Sequence, residues 1–382
     1  MDSVKYISYY DSNENKDENR NVCLSAITKM DYICSAIKKN NYNIEIISAS
    51  RTRGKHGVKS KKYNNEYASV KLFSSLGCGN IIKNLIDYVY LQMQLFFYCL
   101  FNISKEETVI VYHSLGYMRL ISILKTIKKF RLILEVEEIY SHVTGKAGGE
   151  EKELKFFEKA DGYIFPTELL NEKVNVNNKP YVIIYGTYMP EKKYDTIFND
   201  NIIHCVYAGT LDPRKGALTA AKAASLLGKD YHVHVLGFGS EKDKQLIIDE
   251  VDLNRKNGYN NLSFDGLLGG EEYLRFIQSC QVGFSTQSPS VGFNETSFPS
   301  KVLSYLSNGL RVVSIDIESI RCSKVSDLLY FYHYDTPKSI ADTVKSIDFS
   351  DGYDSRKLIN GLDKGFTDSI NTLLKNVGNY TV

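Results

Sequence analysis

"VYAGTLDPRKGALTAAKAASLL", residues 206–227, reads as a strand, a tight loop and a helix with little between them. The apolar run stops at Gly209, the loop carries Arg214 and Lys215, and Gly216 opens the helix. Glycine lets backbone approach a ligand closely, and two cations at a helix N-terminus make a good phosphate site. An ordinary β–α turn with solvated charges reads the same way, so the surrounding chain has to decide. "YHVHVLGFG" (231–239) ends a second strand on glycine, at Gly237 and Gly239. "SFPSKVLSYLSNGLRVVSIDIES" (297–319) then repeats the pattern of loop, helix and strand. Pro299 suits the first helical turn and Gly309 the position past its end. Val302, Leu303 and Leu306 give that helix one apolar stripe, and "LRVVSI" reads as a buried parallel strand. Such a helix aims its backbone amides out of the sheet, toward something anionic or hydroxylated.

Working outward, the second half continues this alternation through "IHCVYAG", "EKDKQLIIDEVDLN", "LSFDG", "EEYLRFIQSC" and "QVGFST". The first half has its own series. "KYISYY", "YNIEIISA", "TVIVYHS", "LILEVEE", "ADGYIFPT" and "PYVIIYG" read as strands. Helices are expected over 22–39 and in "MRLISILKTIKKF", and "RTRGKHGVKSKKYNNEY" (51–67) reads as a basic surface loop. The polar, aperiodic "TYMPEKKYDTIFNDN" reads as a linker. Strands alternating with helices of this length predict an α/β protein of two Rossmann-like, doubly wound parallel-sheet lobes facing a cleft. The lobes are expected at 1–190 and 191–354, with the C-terminal helix, 355–382, joining the first. Ligands in such sheets sit at the carboxyl ends of the strands, here the loops after Gly209, Gly237 and Thr286.

The chain of 382 residues is 43% hydrophobic and 24% charged, which fits a globular protein with two cores. A formal net charge of +2 gives no reason to expect nucleic acid as a partner. The seven cysteines, at 23, 34, 78, 99, 205, 280 and 322, contain no C-x-x-C pair, so a reducing compartment is expected rather than a disulfide framework or zinc site. The first twenty residues lack signal-peptide character, and no unbroken apolar stretch reaches the roughly 18 residues of a membrane span. A cytoplasmic protein is expected.

Taken together, "AGTLDPRKG", "HVLGFGSEKD", "NLSFDGLLGGEEYLRFIQSCQVGFST" and "FPSKVLSYLSNGLRVVS" resemble glycosyltransferase family 4, with the GT-B fold. The resemblance covers most of the second lobe; in the first, "FFEKADGYIFPTELL" and "YVIIYGTYMP" match loosely. It implies a hexosyltransferase using a nucleotide sugar, UDP-sugar favoured, with retention and with no further cofactor. Lys215 would bind the donor diphosphate, with Gly209, Gly237 and Gly239 lining the donor site. Thr210 stands where the family often has an arginine, and Arg214 would serve instead. The amides from Phe298 through Pro299 and Ser300 to Lys301 would face sugar or phosphate, and the loop 287–296 would line the sugar pocket. The family's two glutamates, eight positions apart, fall here on Thr296 and Ser304, with Glu295 one residue before the first. His113, ending the "TVIVYHS" strand, matches a histidine that contacts the transferred sugar.

Glu137 and Glu138 follow the "LILEV" strand toward the same cleft, where one would serve as base or hold acceptor hydroxyls. No Asp-x-Asp lies between apolar strands to hold a divalent metal; "IDIE" (315–318) reads as a strand end, so a metal-independent reaction is expected. The basic residues from Arg51 to Lys62, beside the apolar "NLIDYVYLQMQLFFYCLF" (84–101), fit either a core helix behind a solvated loop or a helix lying on the inner face of the plasma membrane. A composition heavy in tyrosine, lysine and asparagine suits an AT-rich bacterial genome, where such enzymes build capsule and surface polysaccharide on glycan or lipid-linked acceptors. The alternative is a catalytically degenerate GT-B protein that binds a glycan or partner, having lost the donor site at Ser304 and Thr210. A nucleotide-sugar epimerase fits less well, because its acid/base carboxylates and histidines find no place here.

Overall fold

A computed structural model describes residues 3–12, 17–140, 149–289 and 296–379. The chain divides into two compact units, one built from residues up to Thr187 together with those from Lys364 onward, the other Tyr188–Asp363.

Unit 1 is an eight-stranded sheet of β1 (Ser3–Ser8), β2 (Asn43–Ser48), β3 (Lys61–Asn64), β4 (Ser69–Leu72), β5 (Thr108–Tyr112), β6 (Arg131–Glu135), β7 (Gly162–Phe165) and β8 (Tyr181–Ile183), in the order β3-β4-β2-β1-β5-β6-β7-β8. The helices are α1 (Leu24–Lys39), α2 (Ile81–Asn102), α3 (Met118–Lys128), α4 (Glu150–Phe157) and α5 (Glu168–Val174). Val109–Val111 and Leu132–Leu134 are wholly buried, as strands covered on both faces must be.

The stretch expected to be a loop over 51–67 contains β3, which pairs antiparallel with β4, itself not foreseen. Its lysines hid it: Lys61 pairs with Glu18 at 2.8 Å and Lys62 with Glu45 at 2.9 Å, on an edge strand where charge guards against further pairing. α2 covers the predicted apolar helix, yet only Asp87, Leu91, Leu95 and Cys99 are buried. Ile81, Ile82, Leu85, Ile86, Val89, Met93, Phe97 and Phe101 are all exposed.

Unit 2 is a six-stranded parallel sheet of β9 (Ile203–Thr210), β10 (Tyr231–Phe238), β11 (Leu262–Gly266), β12 (Val282–Ser285), β13 (Arg311–Ile315) and β14 (Leu329–Tyr332), ordered β11-β10-β9-β12-β13-β14. Its helices are α6 (Ala217–Leu227), α7 (Glu241–Lys256), α8 (Gly270–Ser279), α9 (Ser300–Asn308), α10 (Glu318–Arg321) and α11 (Pro337–Lys345). Alanines 217, 220, 221, 223 and 224 form the buried face of α6 and let it lie close on the sheet. Ser240 and Asp243 form a reciprocal capping box that starts α7. The last helix, α12 (Ser355–Asn379), begins in unit 2 and from Lys364 belongs to unit 1. In each sheet the strand order reverses beside the first strand, at β1 and at β9, which marks the ligand crevice of a doubly wound sheet.

The amino-terminal halves of β9 and β10 carry three stacked histidines. His204 Nδ1 lies 2.9 Å from His234 Nε2, and the His232 and His234 rings are 4.4 Å apart. Asp200 and Asp265 flank them at 3.0 Å from His204 and 3.1 Å from His234. Burial first, and then the two neighbouring histidines, push His232 down to about 4. The folded protein therefore refuses a proton that the unfolded chain accepts below about pH 6.5. Stability is complete above that pH and drains as pH falls toward 4, by about 1–2 kcal/mol once solvent screening of a half-exposed ring is allowed for. Urea midpoints measured at pH 7, 5.5 and 4.5 should fall in that order, and His232→Gln should flatten the trend; an unchanged slope would assign the acid sensitivity elsewhere.

Candidate functional site

The site in unit 2 begins with a ring on a glycine. A Cβ on Gly283 of β12 would lie 2.3 Å from Cγ of Tyr305, so the α9 tyrosine occupies the space that a side chain there would need. The Ala208 N–H donates to the Tyr305 hydroxyl at 2.8 Å, tying α9 to β9 as well. This docking carries Lys301, in the first turn of α9, over the end of β9. Its Nζ stands 4.8 Å from the centre of the Tyr207 ring. A Cβ on Gly209 would meet Lys301 Cε and Nζ at 2.6 Å, so any larger residue there would push the ammonium from this position.

Burial, and then Lys215, push the Lys301 ammonium down to about 8. Lys215 is itself lowered, chiefly by burial. Two partly desolvated cations thus approach each other at the N-terminus of a helix, an arrangement that an anion relieves. Arg214 does not join them. Its guanidinium is gripped by Asp212 at 2.6 Å and faces solvent. The turn returns to the sheet at Gly216, whose φ of +77° and position against Thr286 leave no space: a Cβ would fall 1.7 Å from the Thr286 carbonyl oxygen.

The other predicted donor-site residues gather around the same strand ends. Gly237 pairs in register with Gly209, and Phe238 with Thr210. Gly239 precedes the Ser240 cap of α7. Pro299 caps α9, Ser300 opens it, and Thr296 and Phe298 are half-buried in the approach to it. Glu295 and most of the loop 287–296 lie outside the described residues. Ser304 hydrogen-bonds the phenol of Tyr273 on α8. Tyr273 in turn lines a small cavity of ≈ 140 Å³ with Ala208, Gly209, Leu236, Phe238 and Leu267. Sequence reasoning missed Tyr273 and valued Lys301 for its amide alone. A lysine on the second residue of a helix that starts beside a glycine-ended strand was the available signal.

The predicted residues of unit 1 behave differently. His113 directly follows β5 and is enclosed: its side chain is 1% exposed and its Nε2 lies 2.8 Å from Glu153. The Phe157 and Tyr140 rings stand 4.7 Å and 5.3 Å from its own. Glu137 is held by Lys29 at 2.6 Å. Glu138 does reach a cavity. It is half-buried, with its carboxyl pushed up by burial, then by Glu137 and Glu153. The cavity, ≈ 590 Å³, is bordered by α1, α2 and the carboxyl-terminal end of β5. Deep beside it, Tyr6 donates to Glu135, which burial and Glu137 push up to about 8. Among the described residues no group of three His, Cys, Asp or Glu side chains is placed to hold a metal ion.

Two parallel-sheet Rossmann-like domains of this kind define the GT-B fold, and the chain has it. Solved structures share that fold over nearly the whole chain. A trehalose-6-phosphate structure from E. coli bound with UDP-2-fluoro glucose superposes with a TM-score of 0.69 at 9% identity, covering 99% of both chains. Sucrose-phosphate synthase from Thermosynechococcus elongatus gives 0.66 at 11% identity, again over 99% of each. HepE of Anabaena in complex with UDP gives 0.62 at 10% identity, over 99% of each. No protein-family model matches the sequence. No curated protein matches it either.

The crowding at Gly216 has a measurable counterpart. Gly216→Ala should destabilise the protein by about 3 kcal/mol or more, because backbone must move. Gly258, with φ +83° and open space around it, provides the control. Gly258→Ala should lose only about 1 kcal/mol to its positive φ. Equal losses in urea unfolding would mean that the contact with Thr286 is not what holds the turn.

Proposed function

We propose that the protein is a glycosyltransferase moving a hexose from a nucleotide sugar, a UDP-sugar foremost, to a glycan or lipid-linked oligosaccharide acceptor. The observation that carries this reading is the desolvated Lys301 at the α9 N-terminus over Gly209, within the electrostatic reach of Lys215. Transfer breaks the bond from the anomeric carbon to the diphosphate oxygen and forms one to an acceptor oxygen, whose proton leaves. The electrostatic demand is the charge gathering on the departing diphosphate. Both ammoniums and the first amides of α9 meet that charge without a metal ion. Solved structures with the same fold hold UDP and UDP-2-fluoro glucose, which supports the choice of donor. Another solved structure of the same fold, of trehalose-6-phosphate synthase, concerns enzymatic glycosyl transfer with retention, and retention is proposed here too. Unit 1 would take the acceptor at the cavity that Glu138 lines, in the building of surface polysaccharide.

Nucleotide binding should follow the Lys301 proton. UDP should raise the melting temperature without added metal and in the presence of EDTA. Affinity should hold below about pH 8 and fall above it as the ammonium deprotonates. Lys301→Met should weaken UDP by roughly tenfold or more, with Lys301→Arg recovering part of it. A flat pH profile, or a need for Mn²⁺, would refute this account of the site.

A second reading has its own observation: Ser304 is spent on Tyr273, where the resembling family places a carboxylate. A degenerate binding module would bind UDP or glycan yet release no UDP from any UDP-sugar, so turnover separates the two.

The outer face of α2 also belongs to this proposal. No described helix is long and apolar enough to cross a membrane. α2 nevertheless exposes Ile82 at 68%, Leu85 at 61% and Phe101 at 78%, while its one acidic residue, Asp87, is buried. Lys83 on the helix reaches the carbonyl of Lys55 in the basic segment before it. An apolar face with a basic border fits the anionic inner surface of a plasma membrane, where a lipid-linked acceptor resides. Wild type should float with phosphatidylglycerol vesicles and not with phosphatidylcholine alone, and Ile82→Asp with Leu85→Asp should abolish flotation while leaving the UDP shift intact. Wild type remaining with the unbound protein would remove the membrane contact.

A further inference from the structure

The cavity of unit 1 has a composition that selects among acceptors. Its volume, ≈ 590 Å³, is ordinary for a small-molecule site. Among the described residues two charged side chains line it, Arg51 and Glu138. Arg51 is already committed. Its Nε lies 3.1 Å from the fully buried Asp87 carboxylate and its Nη2 lies 3.1 Å from Asn84. Asp87 also accepts from Ser75 and from the Leu76 amide, so the guanidinium balances a charge the fold cannot leave alone. Glu138 is left as the unbalanced charge facing the cavity, with Glu137 and Glu153 behind it.

The rest of the wall is aromatic and hydroxylated. Tyr9, Tyr88, Tyr112 and Tyr140 supply ring faces and phenols, and Val22 and Leu115 supply apolar edges. Tyr9 is held stacked on Tyr117, with ring centres 4.6 Å apart, so its face is fixed before any ligand arrives. A pyranose fits such a wall. Its C–H face lies on an aromatic ring while two neighbouring hydroxyls donate to a carboxylate. A phosphate group does not fit, because Arg51 is already neutralised and Glu138 repels it.

We infer that this cavity binds an uncharged glycosyl unit, with Glu138 accepting from its hydroxyls, and discriminates against phosphorylated sugars. The inference rests on the glycosyltransferase reading for its role as acceptor site, but the binding itself does not. It also sets this chain apart from a solved neighbour of the same fold, an α,α-trehalose-phosphate synthase whose structure holds glucose-6-phosphate.

Cys23 supplies a reporter. It is exposed, lines the cavity, and its thiol is lowered by the Ser25 hydroxyl and by amides at the start of α1. Cys322, exposed in unit 2, serves as the internal reference. The full-length protein is treated with iodoacetamide and alkylation is read peptide by peptide, with methyl α-glucoside, methyl β-galactoside or glucose 6-phosphate present. Saturation-transfer NMR on the same three sugars reads binding directly, and the UDP thermal shift is recorded in parallel. At least one neutral glycoside should give transfer signals and slow alkylation of Cys23 severalfold without affecting Cys322, while glucose 6-phosphate should do neither. Glu138→Gln should weaken the glycoside by roughly tenfold with the melting temperature retained, and Tyr88→Ala, at a half-exposed ring, should weaken it independently. Binding of glucose 6-phosphate at Cys23, or silence from both neutral glycosides, overturns the inference. A UDP shift beside silent glycosides leaves glycosyl transfer standing without this cavity. Glycoside binding with no response to any nucleotide retains the cavity and removes the transferase.

Discussion

The geometry of the candidate site in unit 2 descends from one packing contact, the Tyr305 ring seated where Gly283 has no side chain. Because β12 offers a bare backbone there, α9 settles close to the sheet, and the Ala208 amide completes the seat by donating to the phenol. Everything above depends on that distance. Lys301 lies over Gly209 because α9 starts where Tyr305 puts it, and the ammonium is desolvated because Tyr207 and the strand end enclose it. A bulkier residue at Gly283 would lift the helix and return the lysine to water. Its proton affinity would then become ordinary.

Unit 1 rests on a different constraint. Its buried charges are satisfied in sets, Asp87 by Arg51, Ser75 and the Leu76 amide, and Glu153 by His113 and the Tyr140 amide. These sets fix the cavity wall, since α2 is pinned by Asp87 and the segment after β6 by Glu153. His113 thereby lies enclosed beneath Tyr140, its Nε2 held by Glu153. The same helix that Asp87 pins leaves its outer face apolar and uncovered. One side of α2 thus serves the cavity while the other faces outward.

Much of this was legible in the chain. Period and glycine placement gave the two α/β halves, the strand ends at Gly209 and Gly237, and the helix between Pro299 and Gly309. Short-range signals sufficed because each of those elements is bounded by residues with a backbone role. β3 was not legible, since an edge strand dressed in lysines reads as a loop, and β14 was hidden in the short aromatic "LLYFY". The exposure of α2 was not legible either, because hydropathy alone cannot distinguish a face turned inward from one turned outward. At the site, Lys215 could be found from its neighbours in sequence. The Asp212 grip on Arg214 and the partnership of Ser304 with Tyr273 could not, since both are matters of side-chain geometry.

The route of α12 ties the completion of one unit to a segment that follows the other in sequence. Unit 2 is one continuous stretch, whereas unit 1 is assembled from both ends of the polypeptide. Val377 and Leu373 pack over Gly162 of β7, close enough that a Cβ there would meet them at 2.7 Å and 3.0 Å. β1 to β8 all precede unit 2 in the chain, so the segment that covers Gly162 reaches their sheet only after unit 2 has been traversed. A charged residue in place of Val377 or Leu373 would therefore damage unit 1, although both positions lie beyond all of unit 2.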